Sequence, residues 1–353
     1  MRAVAPRLSV MRIASDSLFM PEPPVALSRQ HTPSARRAQA ALEGCRFRGR
    51  ATAPEAASII RADVGRQMTE CRLCRRTSPL ISRALGVCAD CIHHRPDQAV
   101  ALCQAAHIES RRPFGLPAEP PRAPDGRLCT LCARQCSISE EGRGYCGLRT
   151  VREGRLIHLA GTRKRGLLQY YRDPLPTNCV ADWVCAGSRR RGYHNLAVFY
   201  QSCTLDCLFC QNWHYRHARA EAGGFVSAAE LAEAANARTY CVCFFGGDPA
   251  SQMLHALAAA RELASLGVTV CWETAGTSNP KLLDQALRWS LQTGGCVKFD
   301  LKAYDDGLHR ALTGASNQTT LENFARAARR FRERPEPPPV AASMLLVPGY
   351  VDA

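Results

Sequence analysis

From residue 196 onward, short apolar runs alternate with amphipathic stretches. AVFYQS (197–202) reads as a buried strand, Ser227 with Glu230 forms a capping box ahead of the helix LAEAANA, and TYCVCFF (239–245) is the next strand. Residues 252–266 carry a helical pattern closed by Gly267 at C′, VTVCWE is a strand, and Asn279-Pro280 opens a further helix. CVKFDLK is a strand, 320–333 are helical, and VAASMLLV is a fifth strand. This βα repeat predicts a parallel sheet, open or curled into a barrel, whose ligand sites lie at the carboxyl ends of the strands. Cys203, Gly246-Gly247-Asp248, Glu273-Thr274, Asp300-Lys302 and Pro348-Gly349 each fall at or just beyond the end of a different strand. The pattern holds no sixth strand before Val351-Asp352-Ala353, so the expectation is a barrel cut short after the fifth strand or left open at that edge.

Upstream the pattern changes twice. Residues 1–67 are dominated by Ala, Arg and Pro without sustained periodicity and are expected to be a disordered extension. MTECRLC at Met68 opens a cysteine-rich stretch, and translation is expected to begin naturally there. Asp16, Glu22, Glu43, Glu55 and Asp63 speak against a targeting peptide. The expected organisation is a zinc-ribbon-like module at 68–110, a proline-rich linker at 111–126, a second cysteine-rich module at 127–195 and the βα repeat at 196–353.

Composition narrows the classes. No run of 18 uncharged apolar residues exists, which excludes a membrane-spanning helix. The excess of 46 Lys+Arg over 31 Asp+Glu gives +15, which invites a nucleic-acid reading. However, Arg163-Lys164-Arg165 and Arg189-Arg190-Arg191 sit in Gly-flanked segments without interleaved aromatics and read as solvated surface. The 19 cysteines recur as Cys-x2-Cys and Cys-x3-Cys groups with no secretory signal, which favours metal ligation in a reducing cytoplasm over a disulfide framework.

The sharpest of these groups is Cys203-x3-Cys207-x2-Cys210, in the loop after the first strand. A 4Fe-4S cluster normally takes four cysteines, so three leave one iron open, as a catalytic zinc site keeps an open position. The bland alternatives are three core cysteines, or a zinc site borrowing His214. Asp300 and Lys302 lie on one face of a strand end, either as a structural ion pair or as part of a site. Cys71-x2-Cys74 and Cys88-x2-Cys91 have the paired spacing of a tetrahedral zinc site, with His93, His94 and Cys103 as substitutes. Such a small module needs its metal to fold. Cys129-x2-Cys132-x3-Cys136-x9-Cys146 fits zinc or a second, auxiliary Fe-S cluster, and Cys179 and Cys185 either add to that site or line it. Cys241, Cys243, Cys271 and Cys296 lie within strands and read as core cysteines.

The Cys-x3-Cys-x2-Cys loop with Phe209 before its last cysteine resembles the signature of radical S-adenosylmethionine (SAM) enzymes. CLFCQN, CVCFFGGDP, ETAG, VKFDLKAYDDGLHRALTG and LLVPGYVD resemble the branch containing pyruvate formate-lyase activating enzymes and the AmmeMemoRadiSam-type proteins, over about residues 129–353. The resemblance implies an α/β fold with a partial (β/α) barrel of the radical SAM type, preceded by small cysteine-rich metal-binding modules. It implies a 4Fe-4S cluster on Cys203, Cys207 and Cys210, SAM on the open iron, reductive cleavage of SAM and hydrogen abstraction by a 5′-deoxyadenosyl radical. It sets Gly246, Gly247 and Asp248 beside the SAM ammonium, Lys302 against its carboxylate, and Phe209, Glu273, Thr274, Asp300 and His309 around the cofactor. A flavodoxin or ferredoxin-type reductant and a protein substrate are the implied partners. The chain departs from the pattern in having Asp where Glu more often follows the paired glycines, and in carrying its extra cysteines ahead of the SAM motif. A zinc-ribbon nucleic-acid-binding or RNA-modifying protein is the competing class, and the strand-end motifs favour the enzyme. N-terminal sequencing of the native protein is expected to start at Met68; peptides from before it overturn that start site.

Overall fold

The computed structural model describes residues 68–176, 179 and 181–352, so the expected extension at 1–67 lies outside the described residues. The amino-terminal part holds a hairpin, β1 (Thr69–Glu70) and β2 (Thr77–Ser78), then helices α1 (Ala89–His94) and α2 (Pro96–Arg111). Two more hairpins follow, β3 (Arg127–Leu128) with β4 (Ser137–Ile138), and β5 (Arg149–Arg152) with β6 (Arg155–His158). Strand β7 (Leu168–Pro174) leads into the repeat of β8 (His194–Tyr200), α3 (Ala228–Glu233), β9 (Thr239–Gly246), α4 (Met253–Ser265) and β10 (Thr269–Thr274). It continues with α5 (Pro280–Thr293), β11 (Val297–Leu301), α6 (Asp306–Thr313), α7 (Gln318–Ala328) and β12 (Val340–Met344). No helix among the described residues is long and apolar enough to cross a membrane.

The main sheet has six strands in the order β12-β11-β10-β9-β8-β7. Strands β8 to β12 run parallel in chain order, as the alternation predicts, and β7 pairs antiparallel with β8 at the edge. Sequence reading missed β7 because most of its side chains are exposed, leaving no two-residue apolar rhythm to see. It missed α2 for a related reason. That helix buries Ala99, Cys103, Ala106, His107, Ser110 and Arg111, a stripe of small and polar residues rather than aliphatic ones.

The caps read from sequence form. Ser227 and Glu230 make the reciprocal capping box of α3, and the Asn279 side chain accepts from the Lys281 amide at the start of α5. Because side chains alternate across a strand, Leu196, Val198, Tyr200, Val242, Phe244, Val270, Trp272, Val297 and Phe299 share one face and meet α3, α4 and α5 through Leu231, Met253, Leu263 and Leu287. The opposite face carries Cys241, Cys243, Cys271, Glu273, Lys298 and Asp300.

A second core joins the amino-terminal module to the repeat. Cys71, Ile81, Leu85, Val87, Ile92 and Cys103 pack with Leu208 of the loop after β8, with Ala311 and Leu312 of α6, and with Tyr350. The Tyr350 hydroxyl donates to the Val87 carbonyl at 2.8 Å and accepts from the Ser82 amide at 2.9 Å. The proline-rich segment is also tied down: Arg111 donates to the Pro117 and Tyr145 carbonyls, each at 2.6 Å, with its guanidinium 3.6 Å from the Tyr145 ring centre.

Phe244 is fully buried, 4.6 Å from the Trp272 ring and 6.3 Å from that of Tyr200. Phe244→Ala is therefore expected to cost about 3–5 kcal/mol in urea unfolding, since the rigid sheet does not collapse into the void.

Candidate active site

The site is built around the loop that leaves β8 at Tyr200. Its fixed point is Asp206, which has no exposed surface and sits between Cys203 and Cys207. The Asp206 carboxylate accepts from Ser110 Oγ at 2.7 and 2.8 Å, from Arg216 at 2.7 Å, and pairs with His107 Nδ1 at 3.0 Å. Arg111 adds its charge at 3.8 Å. His107, Ser110 and Arg111 come from α2, so the helix of the amino-terminal module grips the cysteine loop from outside. Burial alone would raise the Asp206 pKa, but the His107 hydrogen bond and the Arg216 and Arg111 charges hold it below the ordinary carboxylate range.

Backbone and side chains complete the grip. The amides of Asp206 and Leu208 donate to the Thr313 and Leu312 carbonyls at 2.9 and 3.0 Å. Arg134 donates to the Thr204 carbonyl at 2.6 Å, Thr204 bonds Thr277 hydroxyl to hydroxyl at 2.7 Å, and Ser202 Oγ donates to the Cys146 carbonyl at 2.9 Å. Leu208 and Phe209 insert into the core of the amino-terminal module. The Cys203, Cys207 and Cys210 thiols thus project from a fixed loop, where Cys207 and Cys210 add to the rise in the Cys203 pKa and Cys210 to that of Cys207. Burial is the main cause, pushing Cys207 up to about 12 against the opposing charge of Lys302. These sulfurs are neutral thiols until a cation draws off their protons.

Beside them runs a ladder of alternating charge. Glu273 on β10 lies opposite Lys298 on β11, and Lys298 Nζ reaches Glu273 at 3.3 Å and Asp300 at 2.5 Å. Asp300 in turn holds Lys302 at 3.4 Å and accepts from Ser343 at 3.0 Å. Burial works against every charge in this row. Even so, Lys302 and Lys298 together hold the Asp300 pKa far below normal, and Asp300 with the nearby Cys207 thiol raises that of Lys302. Glu273 is pushed up, burial outweighing Lys298.

The paired glycines serve the backbone. Gly246 has φ +96, and a Cβ there would meet the Tyr200 amide at 2.6 Å; at Gly247 it would meet the Ser202 carbonyl. This close approach lets the Gly247 and Asp248 amides donate to Tyr200 and Ser202 at 2.8 and 2.9 Å. Asp248 spends its own oxygens on the Ala250 amide, Thr274 Oγ1 and the Ala275 amide, at 2.7, 2.9 and 3.0 Å. It therefore knots the ends of β9 and β10, and burial raises its pKa to about 6. His309 is buried with Nδ1 on the Ala315 carbonyl at 2.6 Å.

Two cysteine groups lie outside this row. Cys71, Cys74, Cys88 and Cys91 bring their sulfurs within 4.8 Å of one another, Cys74 and Cys88 at 3.7 Å, with only Cys74 exposed. Cys129, Cys132, Cys136 and Cys146 gather more loosely around the β3–β4 hairpin, where Cys129 donates its amide to the Cys136 carbonyl at 2.8 Å and Cys136 Sγ accepts from the Tyr145 amide at 3.4 Å. Sequence reading passed over Asp206, Arg216 and Lys298. Lys298 could have been found from the period-two charges of Lys298-Phe-Asp300-Leu-Lys302; Asp206 was visible only as a lone charge inside the cysteine loop.

Residues 197–353 match the radical SAM superfamily. The chain is 32% identical over 167 residues to pyruvate formate-lyase-activating enzymes of Staphylococcus aureus strains USA300 and NCTC 8325, covering 44% of this chain and 62% of theirs. It is 32% identical over 107 residues to the isethionate sulfite-lyase activating enzyme of Oleidesulfovibrio alaskensis, covering 30% of this chain and 32% of that one. The chain thus spans between a third and three fifths of the length of these curated relatives.

Replacing Asp206 by Asn leaves Arg216 and Arg111 buried without a counter-charge, and is expected to lower stability by about 3–5 kcal/mol and reduce the iron retained on reconstitution. Because the folded pKa of Asp206 is depressed, its stabilisation is complete at neutral pH and is lost as pH falls through the folded value. Urea midpoints measured from neutral to acid pH should therefore converge for wild type and Asp206→Asn; parallel curves would remove Asp206 from this role.

Proposed function

We propose, from the premise that residues 197–353 carry a radical SAM domain, that this chain is a radical SAM enzyme of the activating-enzyme kind. In this reading Cys203, Cys207 and Cys210 hold a 4Fe-4S cluster with one iron open to SAM. The observation that carries it is the placing of Lys302: its ammonium, oriented by Asp300 at 3.4 Å, lies beside the Cys207 and Cys210 sulfurs, which become thiolates on loading. A fixed cation beside a three-thiolate loop suits a ligand that brings a carboxylate to the open iron. When bound, the cluster and SAM supply reductive cleavage of SAM and a 5′-deoxyadenosyl radical that abstracts a hydrogen atom.

The chain's own residues then bind, orient and exclude water. The three half-buried thiols give up their protons on loading. Lys298, itself paired with Glu273, and Ser343 hold Asp300 ionised and in place, so the Lys302 ammonium needs no reorganisation as ligand arrives. Gly246 and Gly247 let the end of β9 lie directly against the Tyr200–Ser202 backbone, and Asp248 with Thr274 fixes that strand end. Phe209, within the loop, packs against the amino-terminal core, and His309 of α6 is bonded through Nδ1 to the Ala315 carbonyl. The five parallel strands read as a partial (β/α) barrel around this site.

The names of the matched relatives favour a protein substrate, with a flavodoxin or ferredoxin-type reductant in the cytoplasm. Zinc suits Cys71, Cys74, Cys88 and Cys91, because Zn–S bonds of about 2.3 Å set tetrahedral sulfurs roughly 3.8 Å apart, close to the 3.7 Å between Cys74 and Cys88. Cys129, Cys132, Cys136 and Cys146 would take zinc or an auxiliary Fe-S cluster.

The test is anaerobic reconstitution with iron and sulfide, metal counting, reduction with dithionite, addition of SAM and assay for 5′-deoxyadenosine. Wild type is expected to form it. Cys203→Ala and Cys207→Ala are expected to form none while keeping zinc at Cys71 to Cys91, and failure of wild type to assemble any cluster would end the enzyme reading. Lys302→Ala should retain its iron yet need about tenfold or more SAM for half-saturation, the loss of a charged hydrogen bond being worth roughly 1.5–3 kcal/mol.

A further inference from the structure

A cavity of about 420 Å³ opens between α2, the proline-rich segment, the β3–β4 hairpin and the start of α7. That volume falls within the range of small-molecule sites, roughly 300–1,000 Å³. Its lining is rich in cations: Arg122, Arg134 and Arg310 face it, with Glu119 as the one carboxylate among the described residues. Arg310 is matched by Asp306 at 2.6 Å, and Glu119, exposed at the rim, accepts from Gln104 at 2.9 Å. His107 also lines the cavity, but its ring nitrogens are taken by Asp206 and the Ala311 carbonyl. The other two cations are unmatched. Arg134 is only 7% exposed, its guanidinium 4.0 Å from the Tyr145 ring centre. Its Nε and Nη1 donate to the Thr204 and Gly314 carbonyls, each at 2.6 Å, and Nη2 has no acceptor among the described residues. Arg122 donates to the Arg134 and Gln135 carbonyls at 2.9 and 2.6 Å. Carbonyl oxygens satisfy hydrogen bonds but carry no net charge, so a buried guanidinium held only by them keeps much of its desolvation cost.

The start of α7 adds donors to the same space. Gln318 and Thr319, its first two residues, line the cavity, and Asn317 before them makes no side-chain cap. The Asn317 and Gln318 amides are taken by Asp306 and Ser316 Oγ, while those of Thr319 and Thr320 have no acceptor among the described residues. Unpaired first-turn amides and the positive end of the helix dipole attract anions.

We propose that this cavity binds a small phosphate monoester, its phosphate seated between Arg122, Arg134 and the first turn of α7. Two unmatched guanidinium charges call for a dianion, and a phosphate ester carries about −1.5 to −2 at neutral pH, whereas a single carboxylate answers only one of them. Arginine forks and helix amides present the donors that phosphate oxygens accept. The remaining volume takes the organic part of the ester. Bound there, the ester ties the loop after β8, through Arg134 and the Thr204 carbonyl, to the start of α7. The proposal is independent of the function assigned to Cys203, Cys207 and Cys210.

The test titrates the reconstituted full chain, freed of unbound iron by gel filtration, with glycerol 3-phosphate in a calorimeter at fixed ionic strength, with inorganic phosphate and acetate in parallel. Glycerol 3-phosphate is expected to bind saturably and more tightly than inorganic phosphate, and acetate to give no saturable heat. Thr319→Glu sets a carboxylate at the start of α7, where it favours the helix dipole but repels phosphate. Its melting temperature should equal or exceed that of wild type while its Kd for glycerol 3-phosphate rises about tenfold or more. Arg122→Ala, at the exposed rim, should weaken binding in the same direction with an unchanged circular dichroism spectrum. Absence of saturable heat with glycerol 3-phosphate, binding that Thr319→Glu leaves unchanged, or acetate bound as tightly as the ester overturns the proposal. Inorganic phosphate bound more tightly than glycerol 3-phosphate overturns the assignment of an ester.

Discussion

A carboxylate with no exposed surface, ringed by two arginines, a histidine and a serine, sets the geometry of everything around it. Taking Asp206 out of water is costly, and its partners compensate only where all of them arrive together. The two elements that supply them belong to different parts of the chain: α2 of the amino-terminal module, and the continuation of the cysteine loop to Arg216. The loop conformation, the docking of the module and the directions of the three thiols are therefore one problem with one solution. Leu208 and Phe209 reinforce it by burying apolar surface in the module's own core.

The charge ladder follows the same logic on the other side of the thiols. Parallel strands bring Glu273 level with Lys298, and the two-residue period of β11 stacks Lys298, Asp300 and Lys302 on one face. Lys298 is buried and the others are half-buried, so each is tolerable only because its neighbour has the opposite sign. The last member, Lys302, has its counter-charge on one side and the thiols on the other, which makes it the group free to respond to a ligand. Asp248 occupies a different position, with both oxygens committed to Thr274 and to backbone amides, and so joins strand ends rather than facing the thiols as an unpaired charge.

The inner face of the sheet divides into two zones. Toward the carboxyl ends lie the ladder and the cysteine loop; toward the amino ends lie cysteines covered by the segment between β7 and β8. Reading the latter as small hydrophobes was reasonable for Cys241, Cys243 and Cys296, which are buried. It overlooked that a distant segment would deliver Cys179, Ala181 and Val184 onto Cys296 and Ala341, a contact between residues far apart in sequence.

Local features were legible from the sequence because their physics is local. Strand and helix alternation, the Ser227 capping box, the Asn279 cap and the spacing of Cys71 to Cys91 depend on neighbours a few residues away, and each appears where the pattern puts it. Strand β7 and helix α2 escaped because one exposes most of its side chains and the other buries polar ones, so neither carries the apolar rhythm on which such reading depends. What only the tertiary structure decided is which long-range partners each charge meets: Asp206 with α2, and Glu273 with Lys298. No local pattern encodes such pairs, because their cost and their compensation come from elements that only the folded chain brings together.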